Sequence, residues 1–169
     1  KKDGEALPRF EQVIARNPGQ FLEPSLVAAS DIPYREQRWE GALAWFERLE
    51  NVATTPQNTL AAQTGQMRCL KELARTDAAG AAAEKVLKNA DANAALKQEA
   101  GLVAGLAMLG RNELDGAYTR LKAVAKDSRS EVGAEAKYNM AYVRHLQKRW
   151  NDAETEVFDL AKNFASYDH

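Results

Sequence analysis

The 169-residue sequence has few of the residues that build chemical sites. Its single cysteine, Cys69, excludes an internal disulfide and a cysteine-based zinc site. The only histidines, His145 and His169, have no second metal ligand near them at helical spacing. No glycine-rich phosphate loop is present, because Gly101 and Gly105 lie in a predicted helix and follow no strand. We therefore predict a protein that is not an enzyme and that has no cofactor.

Long apolar runs and an excess of one charge are also missing. No apolar run approaches the roughly 20 residues of a membrane-spanning helix, so we predict no membrane insertion by this part of the protein. The 23 basic and 24 acidic residues nearly balance, and this excludes a strong field that would favour nucleic acid. The chain begins at Lys1 without an initiator methionine, and we interpret it as a piece of a longer or processed protein.

The sequence does contain a nearly continuous helical pattern. Hydrophobic residues make up 45% of the chain, and no segment shows the period-two alternation of strands. We therefore predict an all-α protein of about nine helices. Pro33 predicts a kink or an early end of one helix near Asp31, and Gly110 is a predicted C-terminal cap. Gly80, inside an alanine-rich helix, predicts close packing with its neighbours.

The clearest stretch is 134–161, which predicts two helices joined by a polar turn containing Trp150. We expect Trp150 to hold neighbouring helices together. The acidic residues of this stretch are predicted to lie on solvated helix faces. They are Glu135, Asp152, Glu154, Glu156 and Asp159.

Alanines that open every second predicted helix reveal an internal repeat. Their successive intervals are 36, 37, 38 and 36 residues, for Ala6, Ala42, Ala79, Ala117 and Ala153. Four residues after each alanine the chain has, in order, Phe10, Phe46, Ala83, Leu121 and Val157. Seven residues after it stand Val13, Leu49, Val86, Val124 and Leu160. The same face therefore recurs along the chain.

This pattern resembles the tetratricopeptide repeat family, in which an aromatic at the turn precedes an alanine, an aromatic and a small or apolar residue. The matching residues include Trp39, Ala42, Phe46 and Leu49, and later Ala141, Trp150, Ala153, Val157 and Leu160. The resemblance implies a single αα-hairpin solenoid over 1–169. It divides into a partial repeat, 1–18, and repeats near 21–56, 57–91, 92–127 and 131–165. The intervals exceed the 34 residues of the family, and Thr76 and Ala83 make one repeat a loose match.

The resemblance also implies a function, since first helices of the family line a concave groove that binds protein or peptide. The corresponding helices here are 22–38, 59–74, 92–109 and 131–148. Candidate binding residues on them are Tyr34, Arg35, Arg68, Lys71, Tyr138, Asn139, Tyr142 and His145. Two interpretations stay open: Tyr138 and Tyr142 form an exposed recognition strip, or they pack between repeats with their hydroxyls at the rim. Arg68 and Lys71 either pair with an acidic partner or are solvated.

Residues 122–158 also look like long bacterial repeat proteins that have signal peptides and are thought to work in the cell envelope. That resemblance implies a periplasmic or envelope location. One alternative is a structural spacer or self-associating segment, because helix 1–16 lacks a preceding partner and the last helix presents Val157, Phe158 and Phe164 with nothing after them. Another is a ligand-sensing or catalytic helical domain with a closed pocket.

Overall fold

A computed structural model describes residues 3–16, 19–126 and 130–163. Over these residues the chain is helical and has no strand, which confirms the prediction of an all-α protein of about nine helices. The nine α-helices, with one 3₁₀ turn at Gly19–Phe21, are α1 Asp3–Ala15, α2 Leu22–Arg35, α3 Trp39–Val52, α4 Pro56–Glu72, α5 Thr76–Lys88, α6 Ala94–Gly110, α7 Leu114–Val124, α8 Glu131–Leu146 and α9 Trp150–Asn163.

Each helix packs mainly against the helices before and after it in the chain, and α6 also contacts α8 and α4. One buried cluster extends from Ile14 of α1 to α6, and a second extends from Leu102 of α6 to Val143 of α8. α6 contributes to both clusters. Because contacts join sequence neighbours, the core is distributed along the chain.

The same turn closes four helical hairpins: α2–α3, α4–α5, α6–α7 and α8–α9. In each, a residue after the first helix adopts a left-handed backbone with φ between 54° and 62°, and none is glycine: Gln37, Ala74, Asn112 and Lys148. The next amide donates to a carbonyl five residues back, at 2.8 Å for Arg38 and 2.9 Å for the other three. This is the Schellman arrangement, which pairs carbonyls left free at a helix end.

These turns correct two predictions about helix ends. Gly110 does not cap α6, because the helix includes it and Asn112 takes the left-handed position. α2 does not end near Asp31 but extends to Arg35. Pro33 lies in the last turn, where its ring is buried and its carbonyl accepts the amide of Arg38. Burial and this bond offset the hydrogen bond that proline cannot donate.

Two glycines allow successive hairpins to approach closely. A Cβ at Gly65 of α4 would lie 2.5 Å from the Phe46 ring of α3. A Cβ at Gly80 of α5 would collide with Ala107 of α6, in agreement with the close packing predicted at Gly80. At these two points the glycine backbone packs directly against a side chain of the neighbouring hairpin.

Polar ties also join consecutive hairpins. The acidic second residue of each of three helices accepts a hydrogen bond from the following hairpin: Arg75 to Glu40 at 2.6 Å, Arg111 to Asp77 at 3.1 Å and Gln147 to Asp115 at 2.8 Å. A carboxylate in the first turn also complements the helix dipole. These contacts are exposed, so each adds little stability, but all three join the start of one second helix to the following hairpin.

Glu23 of α2 holds the connection between α3 and α4. Its carboxylate accepts hydrogen bonds from the amide of Thr54 at 3.0 Å, the hydroxyl of Thr54 at 2.7 Å and the side-chain amide of Asn58 at 2.8 Å. These bonds, led by the Thr54 hydroxyl, lower the pKa of Glu23 from 4.5 to about 2.

The left-handed turns predict that Ala74→Gly stabilises the protein. An alanine in this conformation is strained by roughly 1–2 kcal/mol, and glycine removes that strain while losing more entropy on folding. We expect the free energy of unfolding, measured with urea, to rise by about 1 kcal/mol. Asn112→Gly is the matched control and should gain less, because asparagine tolerates this backbone. A loss of stability at Ala74 would contradict the turn geometry.

Glu23 predicts a specific acid sensitivity. Its folded pKa is lowered, so its contribution is present above pH 4.5 and is lost as pH falls through 4.5 towards about 2. We expect the difference in urea midpoint between the natural chain and Glu23→Gln to shrink over this interval. Glu47→Gln, at an exposed position of α3, is the control. A difference that stays constant with pH would exclude the carboxylate of Glu23 as its cause.

Candidate functional site

The outward sides of α2, α4, α6 and α8, the first helices of the four hairpins, are called here the first-helix surface. The eight predicted binding residues lie on α2, α4 and α8 of this surface. They fall into two groups: the first lies around α2 and α4, and the second lies along α8. α6, between them, contributed no candidate.

Tyr34 of the first group is half-buried and serves packing. Its ring meets those of Trp39 and Phe46 edge to face, with centroids 5.4 Å and 5.9 Å away. Arg35 is exposed, and its Nε donates to Asp31 at 2.8 Å along the same helix. Lys71 is also exposed. Of these residues only Tyr34 contributes to the apolar interior.

Arg68 joins two first helices. Its Nε and Nη2 donate to the two carboxylate oxygens of Glu99 on α6, at 2.8 Å and 2.7 Å. These bonds raise the pKa of the guanidinium above its usual value, so it stays charged. The acid that Arg68 contacts is therefore part of this chain.

An open cleft of about 470 Å³ separates α2 from α4. Its deep part is formed by the buried side chains of Phe46 and Leu49, whereas Gln57 and Ala61 at its mouth are exposed. The other apolar walls are Val27, Leu60 and Leu96. Thr64 also lines the cleft, and its buried Oγ1 has no hydrogen-bond partner among the described residues. The cleft was not predicted, because a small polar residue such as Thr64 is unremarkable in a helical sequence.

The second group forms an aromatic strip, defined here as Tyr138, Tyr142, His145 and Trp150. The tyrosine side chains are 44% and 47% exposed. The ring of His145 stacks on Tyr142, with centroids 6.5 Å apart, and meets Trp150 edge to face at 4.9 Å. The fourth α8 candidate, Asn139, donates its side-chain amide to the Glu135 carbonyl at 2.8 Å. Three of the four α8 candidates therefore lie in one exposed strip.

Trp150 contributes less to packing than expected: its ring contacts His145 of α8, but the residue is 56% exposed. Trp39, at the corresponding position of the first complete repeat, is half-buried against the core. Val157 of α9 is 52% exposed, whereas the equivalent Phe46 of α3 is buried; α4 packs on α3, and no described helix follows α9. Phe158 is 67% exposed, at the position that exposed Glu47 occupies in α3. Phe164 lies outside the described residues.

Glu156 is a further correction, since the sequence placed it on a solvated face. It is the buried residue of α9, where it accepts the Tyr118 hydroxyl at 2.7 Å and pairs with Lys137. Lys137 also donates to Asp159 at 3.0 Å. Burial lowers the pKa of Lys137, but its bonds to Glu156 and Asp159 outweigh burial and raise it. Glu156 stands three residues after Ala153, a spacing that could have placed it on the packed face.

The guanidinium of Arg144 adds to this contact between helices. It lies 3.4 Å from the centroid of the Tyr118 ring. Burial, and then the hydrogen bond to Glu156, raise the pKa of Tyr118. Polar contacts thus attach α9 to α7 and α8, whereas α3, α5 and α7 also bury apolar side chains.

No protein-family model matches the chain, and no curated protein matches it. Among the described helices, none combines the length and the apolarity that crossing a bilayer requires. Within the same ranges, no three His, Cys, Asp or Glu side chains are grouped so that they would hold a metal ion.

The exposure of Trp150 predicts that its removal has a small effect. We expect Trp150→Ala to lower the free energy of unfolding by less than about 1 kcal/mol, because most of the ring already faces solvent. The matched variant Trp39→Ala should cost about 3 kcal/mol, since it removes a ring packed against Tyr34. Urea unfolding of both variants measures the difference. Equal losses would show that Trp150 does serve packing.

Proposed function

We propose that the chain is a solenoid of tetratricopeptide-like repeats that binds a partner protein or peptide through its first-helix surface. The observation that carries this proposal is the aromatic strip. Exposed aromatic side chains with a polar atom supply contact area at low entropic cost, and such residues are enriched where proteins bind one another. Tyr138 and Tyr142 are the residues at which we place the main contact.

The packing of the helices supports the solenoid part of the proposal. A stack of hairpins whose contacts are mainly with sequence neighbours is the arrangement of helical repeat proteins. The recurring left-handed turn, at intervals of 37, 38 and 36 residues from Gln37 to Lys148, fits the period of the alanines. The resemblance of residues 122–158 to envelope repeat proteins supports a periplasmic or envelope location.

A structural or self-associating segment is the second candidate function. The observation that favours it is the exposure of Val157, whose equivalents Phe46, Ala83 and Leu121 are buried in earlier hairpins, together with the exposure of its neighbour Phe158. An apolar helix face of this kind is a site of association between proteins. The aromatic strip ranks first because three of its rings, those of Tyr142, His145 and Trp150, contact one another, whereas Phe158 is 67% exposed.

The proposal predicts the effect of removing the two tyrosines. Peptides selected from a random display library on the purified chain should bind Tyr138→Ala/Tyr142→Ala about tenfold or more weakly, because truncating a central aromatic contact typically costs over 1 kcal/mol. Fluorescence anisotropy of labelled peptides measures the dissociation constants. Circular dichroism melting checks that the variant is folded.

The matched control is Glu47→Ala/Glu154→Ala, which changes two exposed residues of second helices α3 and α9. It should leave peptide affinity unchanged. Peptides that bind the tyrosine variant normally but the control weakly would place binding on the second helices and exclude the proposal.

A further inference from the structure

The open cleft between α2 and α4 has the features of a specific side-chain pocket. We propose that it binds one tyrosine side chain of the partner polypeptide, with the phenol hydroxyl hydrogen-bonded to Thr64. This inference rests on the proposed function, because it gives the polypeptide bound by the first-helix surface a defined anchor. It adds a second contact, on helices that the aromatic strip of α8 does not include.

The size and the lining of the cleft fit an aromatic side chain. Its volume of about 470 Å³ exceeds the roughly 150 Å³ cavity in which a benzene ring is bound, and leaves room for the flanking backbone. Apolar side chains surround it on α2, α4 and α6, and the Phe46 ring lies at its base. Aromatic rings pack well edge to face, as Tyr34 and Phe46 already do beside the cleft. An aromatic occupant therefore gains contact on several sides.

The charges at the edge of the cleft favour a neutral occupant. Asp31 accepts a hydrogen bond from Arg35, and Arg68 is held by both oxygens of Glu99. Neither charge requires a counter-ion from a ligand. An apolar centre with a polar rim is also the arrangement of anchor sites in protein interfaces, where the rim excludes water. Because the mouth is open, a side chain can enter the cleft from a partner polypeptide that lies across the surface.

Thr64 distinguishes tyrosine from phenylalanine. Three other helical threonines donate to the carbonyl four residues back: Thr59 at 3.1 Å, Thr119 at 2.9 Å and Thr155 at 2.9 Å. Thr64 is only 7% exposed, and its Oγ1 makes no hydrogen bond in the described part of the chain. An unpaired buried hydroxyl is destabilising, and a hydroxyl brought by a ligand would remove that penalty. Because Oγ1 is out of contact with solvent, the proposed hydrogen bond requires Thr64 to turn about χ1, and a threonine in a helix has two accessible rotamers.

The test uses two probes that mimic side chains: p-cresol for tyrosine and toluene for phenylalanine. Both are titrated into the whole chain and followed by NMR at the signals of Leu60, Thr64 and Leu96. We expect p-cresol to bind more tightly than toluene. Thr64→Val keeps the shape and removes the unpaired hydroxyl, so it should fold normally and weaken p-cresol binding about tenfold while leaving toluene binding unchanged.

Ala61→Trp, at the exposed mouth of the cleft, should abolish the binding of both probes. The matched control Ala44→Trp places the same ring at an exposed position of α3 and should leave both affinities unchanged. Probe binding that survives Ala61→Trp, or shifts that map away from the cleft, would overturn the site. An unchanged ratio of p-cresol to toluene affinity in Thr64→Val would overturn the role of the hydroxyl.

A double-mutant cycle extends the test to the polypeptide. Replacing the tyrosine of a selected peptide by phenylalanine should weaken binding to the natural chain and have no effect on Thr64→Val. Selected peptides without an essential tyrosine would overturn the inference even if they bind through Tyr138 and Tyr142. If no peptide binds the natural chain although p-cresol still binds the cleft, the proposed function is contradicted and the pocket is not.

Discussion

The second helix of each hairpin has two sides to bury, and the first helix of the same hairpin buries only one of them. The following first helix must cover the other, as α4 does for α3 where Gly65 meets the Phe46 ring. The residues equivalent to Phe46 in α5 and α7 are Ala83 and Leu121; both are buried, and α6 and α8 follow them. The equivalent residue of α9, Val157, is exposed. Stacking of hairpins is therefore the contact on which the core depends, and it also determines which apolar residues stay exposed.

The sequence predicted the parts of this arrangement that follow from periodicity. Helical spacing identified the helices, and the alanines at Ala42, Ala79 and Ala117 are buried where a second helix packs. Left-handed residues such as Ala74 escaped prediction, because glycine is the usual signal and the hairpin contacts impose the turn here without it. The burial of Glu156 was not predicted either. A carboxylate is buried only when partners such as Lys137 are in place, and the sequence does not show which residues those are.

Sequence also identified three residues of the aromatic strip, Tyr138, Tyr142 and His145, but neither the exposure of Trp150 nor the cleft, for a physical reason. Tyr138 and Tyr142 are large residues off the predicted packing face, so a helical pattern suffices to mark them. The cleft depends on how far apart α2 and α4 lie, and on a hydrogen bond that Thr64 does not make. Neither the separation of two helices nor an absent bond has a signature in residue spacing. An exposed aromatic strip is thus easier to predict from sequence than a cleft between two helices.

The two features occupy equivalent positions in their helices. Counting back fifteen residues from the repeated alanine gives Thr64 in α4 and Tyr138 in α8, although Thr64 is buried and Tyr138 is 44% exposed. Leu102 of α6, at the same position, is buried as well. The position is therefore covered in α4 and α6, which have further hairpins after them, and open in α8. Tyr142, by contrast, corresponds to Asp31 of α2, which is exposed although further hairpins follow it. Only the Tyr138 end of the strip therefore shares its exposure with Val157, and there a partner that covered the last hairpin would compete with a peptide bound at Tyr138.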